Sequence, residues 1–139
     1  MKIFSTTAIA LSLALSVAGC KRDKVDIASM KPVTTRTVGD VSIVLADDTG
    51  DLKQGQNDFV LQFRDGGGQP VDVGAVQLGS SMSMPGMAPM SGGTEITPTG
   101  QTGTYRVKSN FGMSGAWHFT VSWNGPRGQG NTAFNSNVR

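Results

Sequence analysis

The sequence predicts an all-β fold, a seven-stranded immunoglobulin-like β-sandwich. Apolar and polar residues alternate with a period of two in several segments after residue 38, as they do in half-buried strands. Turn-forming clusters such as Asp65-Gly66-Gly67-Gly68 separate these segments at short intervals. No segment after the amino-terminal leader has convincing helical periodicity. Short strands at this spacing, in about a hundred residues, are typical of such a sandwich.

The predicted strands lie around residues 41–46, 59–64, 71–78, 94–97, 105–108, 117–123 and 132–138. The segment 117–123 is the clearest, because aromatic or aliphatic residues alternate there with polar ones. Only one cysteine is present, so the kinship to antibody domains, which have a disulfide, is architectural. The predicted buried face comprises Val41, Ile43, Leu45, Phe59, Leu61, Phe63, Tyr105, Val107, Trp117, Phe119, Val121 and Trp123.

Residues 1–19 are predicted to be a lipoprotein signal peptide. The basic residue Lys2 precedes the apolar run 9–17, and polar residues follow soon after. This run is too short to span a membrane as a helix. The ending Val17-Ala18-Gly19-Cys20 resembles the bacterial lipobox, which implies that Cys20 becomes the first mature residue and carries lipid. The alternative is ordinary signal cleavage with a free thiol, which would be a liability in a secreted protein.

Residues 20–37 are polar, and we expect the lipidated Cys20 and a linker there, followed by the sandwich domain over residues 38–139. The protein would then be anchored to a bacterial membrane through Cys20, with the domain outside the cytoplasm, on the periplasmic side or at the cell surface. The formal net charge is +2 and 16% of residues are charged. Because basic residues cluster at 21–24, beside the predicted anchor, we interpret them as a tether near lipid headgroups. We predict no nucleic-acid partner.

The segment Met82-Ser83-Met84-Pro85-Gly86-Met87-Ala88-Pro89-Met90 places four thioethers within nine residues. Two prolines and a glycine argue against a helix or a buried strand, so we expect a loop. Thioether sulfur is a soft ligand that favours Cu(I). The alternative is that these side chains plug the open end of the sandwich, since methionine fills irregular gaps and contacts aromatic rings well.

Strand order suggests a fifth candidate ligand. In an up-and-down arrangement the third and fifth connections emerge at the same end, so Met113 would face the four-methionine loop. Packing remains an alternative role for Met113. The single histidine, His118, alternates with Trp117 and Phe119 and is expected on the outer face, exposed. Aspartates 47, 48 and 51 lack the spacing of a calcium loop and suit turns.

The chain resembles the YtkA-like domain family. The resemblance lies in segments 51–59 and 65–71, the run from Met82 to Met90, and Gly103-Thr104-Tyr105 followed by Met113-Ser114-Gly115-Ala116-Trp117. That family is a small sandwich domain of bacterial envelopes, related to FixH-like proteins, and similar domains occur near adaptor subunits of heavy-metal efflux systems. The resemblance covers about residues 38–124. Copper-binding loops often combine histidine with methionine, and the absence of histidine from 82–90 favours Cu(I) over Cu(II).

Two functional hypotheses follow. In the first, an envelope lipoprotein binds Cu(I) through Met82, Met84, Met87, Met90 and Met113, and buffers it or passes it to a metal-efflux or oxidase-assembly protein. In the second, the same methionines form a docking surface for an envelope partner without metal. Enzymatic activity is not expected, because the sequence has one histidine and no nucleophile elbow. We expect no small-molecule substrate.

Overall fold

The protein is described by a computed structural model over residues 24–139. The predicted signal peptide and Cys20 lie outside the described residues. Two antiparallel sheets pack face to face, which confirms the all-β sandwich. The described part contains a 3-10 turn at Ile27–Ser29 and the strands β1 Lys31–Val38, β2 Val41–Asp47, β3 Gly55–Arg64, β4 Ala75–Met82, β5 Met90–Ser91, β6 Gly93–Pro98, β7 Thr104–Phe111, β8 Gly115–Gly125 and β9 Gly128–Val138.

The strand orders are β1-β2-β3-β7-β6 in one sheet and β5-β4-β8-β9 in the other. The nine strands of this region exceed the seven expected, and the additional two are β1 and the two-residue β5. Both are edge strands with few buried residues. Apolar and polar side chains therefore alternate only weakly in β1 and β5, and the period-two pattern used to predict strands does not reveal them.

The predicted linker over residues 20–37 needs correction in its second half, because Lys31–Val38 is an ordered strand. It pairs antiparallel with β2, with Thr35 opposite Val44 and Val38 opposite Val41. A break in register lies between Pro32 and Thr34, where a proline is tolerated because an edge strand need not donate every hydrogen bond. The sandwich thus begins before residue 38. Residues 71–74, predicted as the start of a strand, instead have no regular secondary structure and precede β4.

The core confirms the predicted strand faces. Eleven of the twelve residues expected inside are buried, and Tyr105 is half-buried. The Tyr105 hydroxyl donates a hydrogen bond to the Gly74 carbonyl at 2.8 Å. Aromatic rings connect the two sheets: the Phe63 and Trp123 centroids are 5.6 Å apart, and those of Phe111 and Trp117 are 5.0 Å apart.

The antiparallel topology sorts the connections to two ends of the sandwich. The connections 48–54, 83–89 and 112–114 lie at one end, while 39–40, 65–74, 99–103 and 126–127 lie at the other. Residues 83–90 and 112–115, together with Met82, are called the methionine rim below. Within residues 24–139, no helix has the length and apolar character needed to cross a membrane.

Candidate functional site

The four-methionine segment forms a hairpin between β4 and β5. Met82 and Met90 are directly paired across the two strands, so the hairpin closes on a methionine pair. In the loop between them, the Met87 amide donates to the Met84 carbonyl at 3.2 Å. Gly86 follows Pro85 with a φ of +74°, a conformation that glycine adopts without steric cost. The prolines and the glycine therefore define the turn, as the sequence suggests.

The turn that carries Met113 lies directly against this hairpin. A Cβ atom placed on Gly112 would be 3.0 Å from the Met90 sulfur, and one placed on Gly115 would be 2.6 Å from the Met82 methyl carbon. The side chains of Met82 and Met90 thus occupy space that is free only because both flanking residues are glycines. The structure brings Met82, Met90 and the backbone of the Met113 turn together at one end of the sandwich.

The five methionines differ in exposure. Met82 and Met90 are half-buried and pack against the hydrophobic core. Met84 is also half-buried, but it lies in the loop. Met87 and Met113 are 68% and 42% exposed, the large hydrophobic side chains that stand out to solvent in the described chain. The rim therefore has two anchored thioethers and two that are freely accessible, with Met84 between these extremes.

Two side chains, one of them buried, fix the position of the Met113 turn. The Trp117 indole N–H donates to the Met113 carbonyl at 2.9 Å, and the Gln54 side-chain amide donates to the Gly112 carbonyl at 3.0 Å. Trp117 itself is fully buried. Because a large buried ring holds the turn from below, the backbone around Met113 is preorganised rather than loose. The sequence contains Trp117 and Gln54, but no local pattern reveals either the hydrogen bond of Trp117 to Met113 or the long-range one of Gln54 to Gly112.

A second set of contacts holds the start of β6 beside the rim. The Ser80 hydroxyl donates to the Gly92 carbonyl at 3.1 Å and lies 3.1 Å from the Thr94 hydroxyl oxygen. A Cβ on Gly92 would lie 3.2 Å from the Trp117 ring. The chain leaving Met90 therefore passes close over the tryptophan. No buried side-chain nitrogen or oxygen in residues 24–139 lacks a hydrogen-bond partner.

Conventional metal ligands do not gather in the part of the chain that the structure describes. It contains no cluster of three or more His, Cys, Asp or Glu side chains that could hold an ion. His118 is exposed on the outer face of β8, where alternation predicted it, and its Nδ1 lies 2.9 Å from the Asn135 side-chain oxygen. Any metal chemistry of the rim would therefore depend on thioethers, which are neutral, soft donors.

Comparison with known proteins agrees with this fold. The chain is similar to a crystal structure of a DUF4426 family protein from Pseudomonas aeruginosa PAO1, with 11% identity and a TM-score of 0.51 over 76% of this chain and 96% of that one. This likeness shows the fold alone. No curated protein matches the chain. The YtkA-like family profile matches residues 26–122, from ahead of β1 into β8 and across the whole methionine rim. The chain belongs to the YtkA-like family.

Proposed function

We propose that the protein is an envelope lipoprotein whose methionine rim binds Cu(I) or a similar soft metal ion, for buffering or for transfer to an efflux or assembly partner. The observation that carries this proposal is the pairing of Met82 with Met90 against the turn of Met113. The thioethers of one connection lie against the backbone turn that carries Met113, at one end of the sandwich. Thioether ligands at this density select Cu(I) among common biological metals.

The donor set suits Cu(I) in charge as well as in softness. Met82, Met84, Met87, Met90 and Met113 supply sulfur without deprotonation, so metal binding releases no protons from these ligands. We therefore expect affinity to depend only weakly on pH, in contrast to sites built from thiolate or imidazole. Three or four of the five sulfurs would form the site, and the remaining ones would serve as spare ligands.

Exposure supports a role in transfer. Met87 and Met113 are accessible to another protein, whereas Met82 and Met90 are held against the core. A partner's soft ligands can thus approach the ion from the solvent side while the anchored pair retains it. Stepwise exchange of neutral ligands at the open rim would pass Cu(I) to the partner without releasing it to water.

The deciding experiment replaces Met82, Met84, Met87 and Met90 together by leucine. Met-to-Leu changes keep volume and apolarity and usually cost less than about 1.5 kcal/mol each. The variant should remain folded but lose the ability to compete with a chromogenic chelator for Cu(I). Cu(I) should also raise the melting temperature of the wild type alone, because a ligand that binds the native state stabilises it.

A single change, Met87→Leu, is the matched control. It removes one exposed sulfur and leaves the paired Met82 and Met90 in place, so binding should weaken only modestly. Fluorescence of the buried Trp117, which is bonded to the Met113 carbonyl, gives an independent readout of metal at the rim. If the wild type shows no thermal shift and competes no better than the quadruple variant, the copper proposal is wrong.

The second candidate function is a metal-free docking surface. It is favoured by the same exposure of Met87 and Met113, since accessible flexible methionines suit adaptable protein contacts. The quadruple leucine variant separates the two candidates, because leucine preserves an apolar contact but not a thioether ligand. A docking function would survive that substitution.

The lipid anchor is proposed from the lipobox-like residues 17–20. Cys20→Ser should block both lipid attachment and lipoprotein processing, because only the cysteine sulfur can accept the diacylglyceryl group. The measurement is metabolic labelling with a fatty-acid analogue, together with membrane fractionation. Continued labelling of the serine variant would contradict the anchor.

A further inference from the structure

The outward face of the five-stranded sheet is unexpectedly buried. The second sheet covers only the inward face of this sheet, yet Val44, Ala46 and Val60 are 8%, 3% and 2% exposed on the other side. Their outward direction follows from strand alternation, because Ile43, Leu45 and Phe59 beside them point into the core. Another part of the chain must therefore cover this face.

Residues 24–30, called the strap below, are that cover. Ile27 and Met30 line one groove together with Val44 and Ala46, and Met30 lines a second groove with Val60. Val25 is 5% exposed, although it precedes the first strand. An Asp26 side chain accepting from the Ala28 amide at 3.2 Å shapes the short turn of the strap. The strap is thus a packed element of the domain.

The strap moves the point at which the chain enters the fold. β1 begins at Lys31, which is paired with Asp47, one residue beyond the Ala46–Val60 pair and thus level with the middle of β3. Val25 lies at the end opposite the methionine rim, because its amide donates to the side-chain oxygen of Gln101 at 3.0 Å, and Gln101 belongs to the turn between β6 and β7. The strap therefore carries the chain from the far end of the sandwich to the start of β1, beside the middle of β3.

We propose that this strap orients the membrane-anchored domain so that the methionine rim faces away from its own membrane. The proposal rests on the lipid anchor at Cys20, but not on metal binding. Cys20 precedes Val25 by five residues, which span at most about 18 Å when fully extended. The ten residues of β3 alone measure about 33 Å along the sandwich. A docked strap thus keeps the anchor nearer the far end than the rim.

Without the strap no fixed orientation is expected. If residues 24–30 were a loose tether, the anchored chain would enter the fold at Lys31, level with the middle of β3, and neither end of the sandwich would be held toward the membrane. Distance measurements from both ends distinguish the two possibilities. The outward orientation would present the thioethers to partners in the aqueous compartment, rather than to proteins within the same bilayer.

The test uses the lipidated full-length protein in vesicles of neutral lipid that contain a headgroup-linked acceptor dye. Single cysteines for a donor dye are introduced as Met87→Cys at the rim and Thr102→Cys at the far end, both at exposed positions. With the Cys20 sulfur occupied by lipid, only the new cysteine reacts. Energy transfer to the membrane should be at least about twofold stronger from residue 102 than from residue 87, given a separation of about 30 Å.

Two variants test the role of the strap. Val25→Asp together with Gln101→Ala should release the strap, since it buries a charge and removes the acceptor of the Val25 amide, and the two transfer efficiencies should then converge. An insertion of about twenty Gly and Ser residues directly after Arg22 leaves the folded domain intact and gives a tether of about 25 Å, so the two efficiencies should converge. Hydrogen exchange should show a protected Val25 amide in the wild type and in the insertion variant, but not in the double variant.

Equal transfer from both positions in the wild type, or stronger transfer from residue 87, would overturn the proposal. So would a wild type that carries no lipid on Cys20 and fails to bind the vesicles. Cu(I) competition on unlabelled protein with and without the strap changes reports the metal proposal separately, because those forms keep every methionine of the rim. Loss of orientation and loss of copper binding are therefore distinguishable outcomes.

Discussion

Phe119→Ala is the substitution that tests most directly how the two sheets are held together. Phe119 is fully buried in β8, and its ring contacts two other aromatic rings. The centroid distances are 5.8 Å to Phe111, edge-on, and 5.4 Å to Phe134, nearly parallel with an interplanar angle of 10°. Removing this ring therefore opens a cavity between the sheets and breaks two aromatic contacts.

The expected loss follows from these contacts. Truncating a buried phenylalanine to alanine costs about 3–5 kcal/mol, and aromatic pairs contribute about 0.5–1.5 kcal/mol beyond burial. With two such pairs lost, we expect the upper part of that range, about 4–5 kcal/mol. Total stability of small domains is about 5–15 kcal/mol. With a urea m value of about 2 kcal/mol/M, the midpoint of unfolding should fall by about 2 M.

The control is Thr120→Ala, one residue further along the same strand. Thr120 is exposed on the opposite face, so its midpoint should change by a few tenths of a molar at most. Urea unfolding followed by tryptophan fluorescence and by circular dichroism measures both variants on the soluble domain. Similar losses at the two positions would refute the assigned register of β8, because a shift of one residue exchanges the inner and outer faces.

Two further predictions concern the far end of the sandwich. Gly39 and Gly103 have nearly equal φ values of +60° and +63°, so alanine at either position costs about 1–2 kcal/mol of backbone strain. Only at Gly103 would the added Cβ also clash with the Val71 carbonyl oxygen and lie 2.9 Å from the Phe63 carbonyl oxygen. Gly103→Ala should therefore lower the free energy of unfolding at least about twice as much as Gly39→Ala. Burial, and secondly the charge of Asp72, raise the pKa of Tyr105 above its ordinary value of 10.0. Folding therefore keeps the phenol protonated at pH values where Tyr105 of the unfolded chain ionises. The contribution of Tyr105 to stability is complete below the unfolded pKa and is lost as pH rises through the folded pKa. Tyr105→Phe should remove that alkaline decline in the urea midpoint, and an unchanged decline would contradict the assignment.

The inner faces of the strands were predictable because burial on one side imposes a period of two. Phe59, Leu61 and Phe63 alternate with neighbours on the other face, and the structure buries all three. The same rule fails for β1, which is a mostly exposed edge strand. It also gives no account of Val44 and Val60, which are buried on the outward face. Only the strap explains them, and its docking is a contact between segments distant in sequence.

The rim was partly predictable for a related reason. Proline and glycine around Met87 indicate a loop, and strand counting places Met113 at the same end despite the two additional strands. β1 precedes every strand used in that count, and β5 merely divides the hairpin, so neither changes which connections share an end. The sequence does not reveal the close approach of Met82 to Gly115 or of Met90 to Gly112, since these contacts depend on the packing of two sheets.

The glycines around Met113 connect the fold to the proposed chemistry. Any side chain at 112 or 115 would occupy space that Met82 or Met90 now fills, and the buried Trp117 fixes the carbonyl between them. Packing of the paired methionines and placement of the Met113 thioether therefore depend on the same backbone turn. A rim that served only to close the sandwich would have no need for Met87 and Met113 in solvent, where their side chains contribute little to burial. The exposed thioethers, rather than the half-buried pair, are thus the part of the rim that packing does not explain, and the proposed soft-metal binding would give them a role.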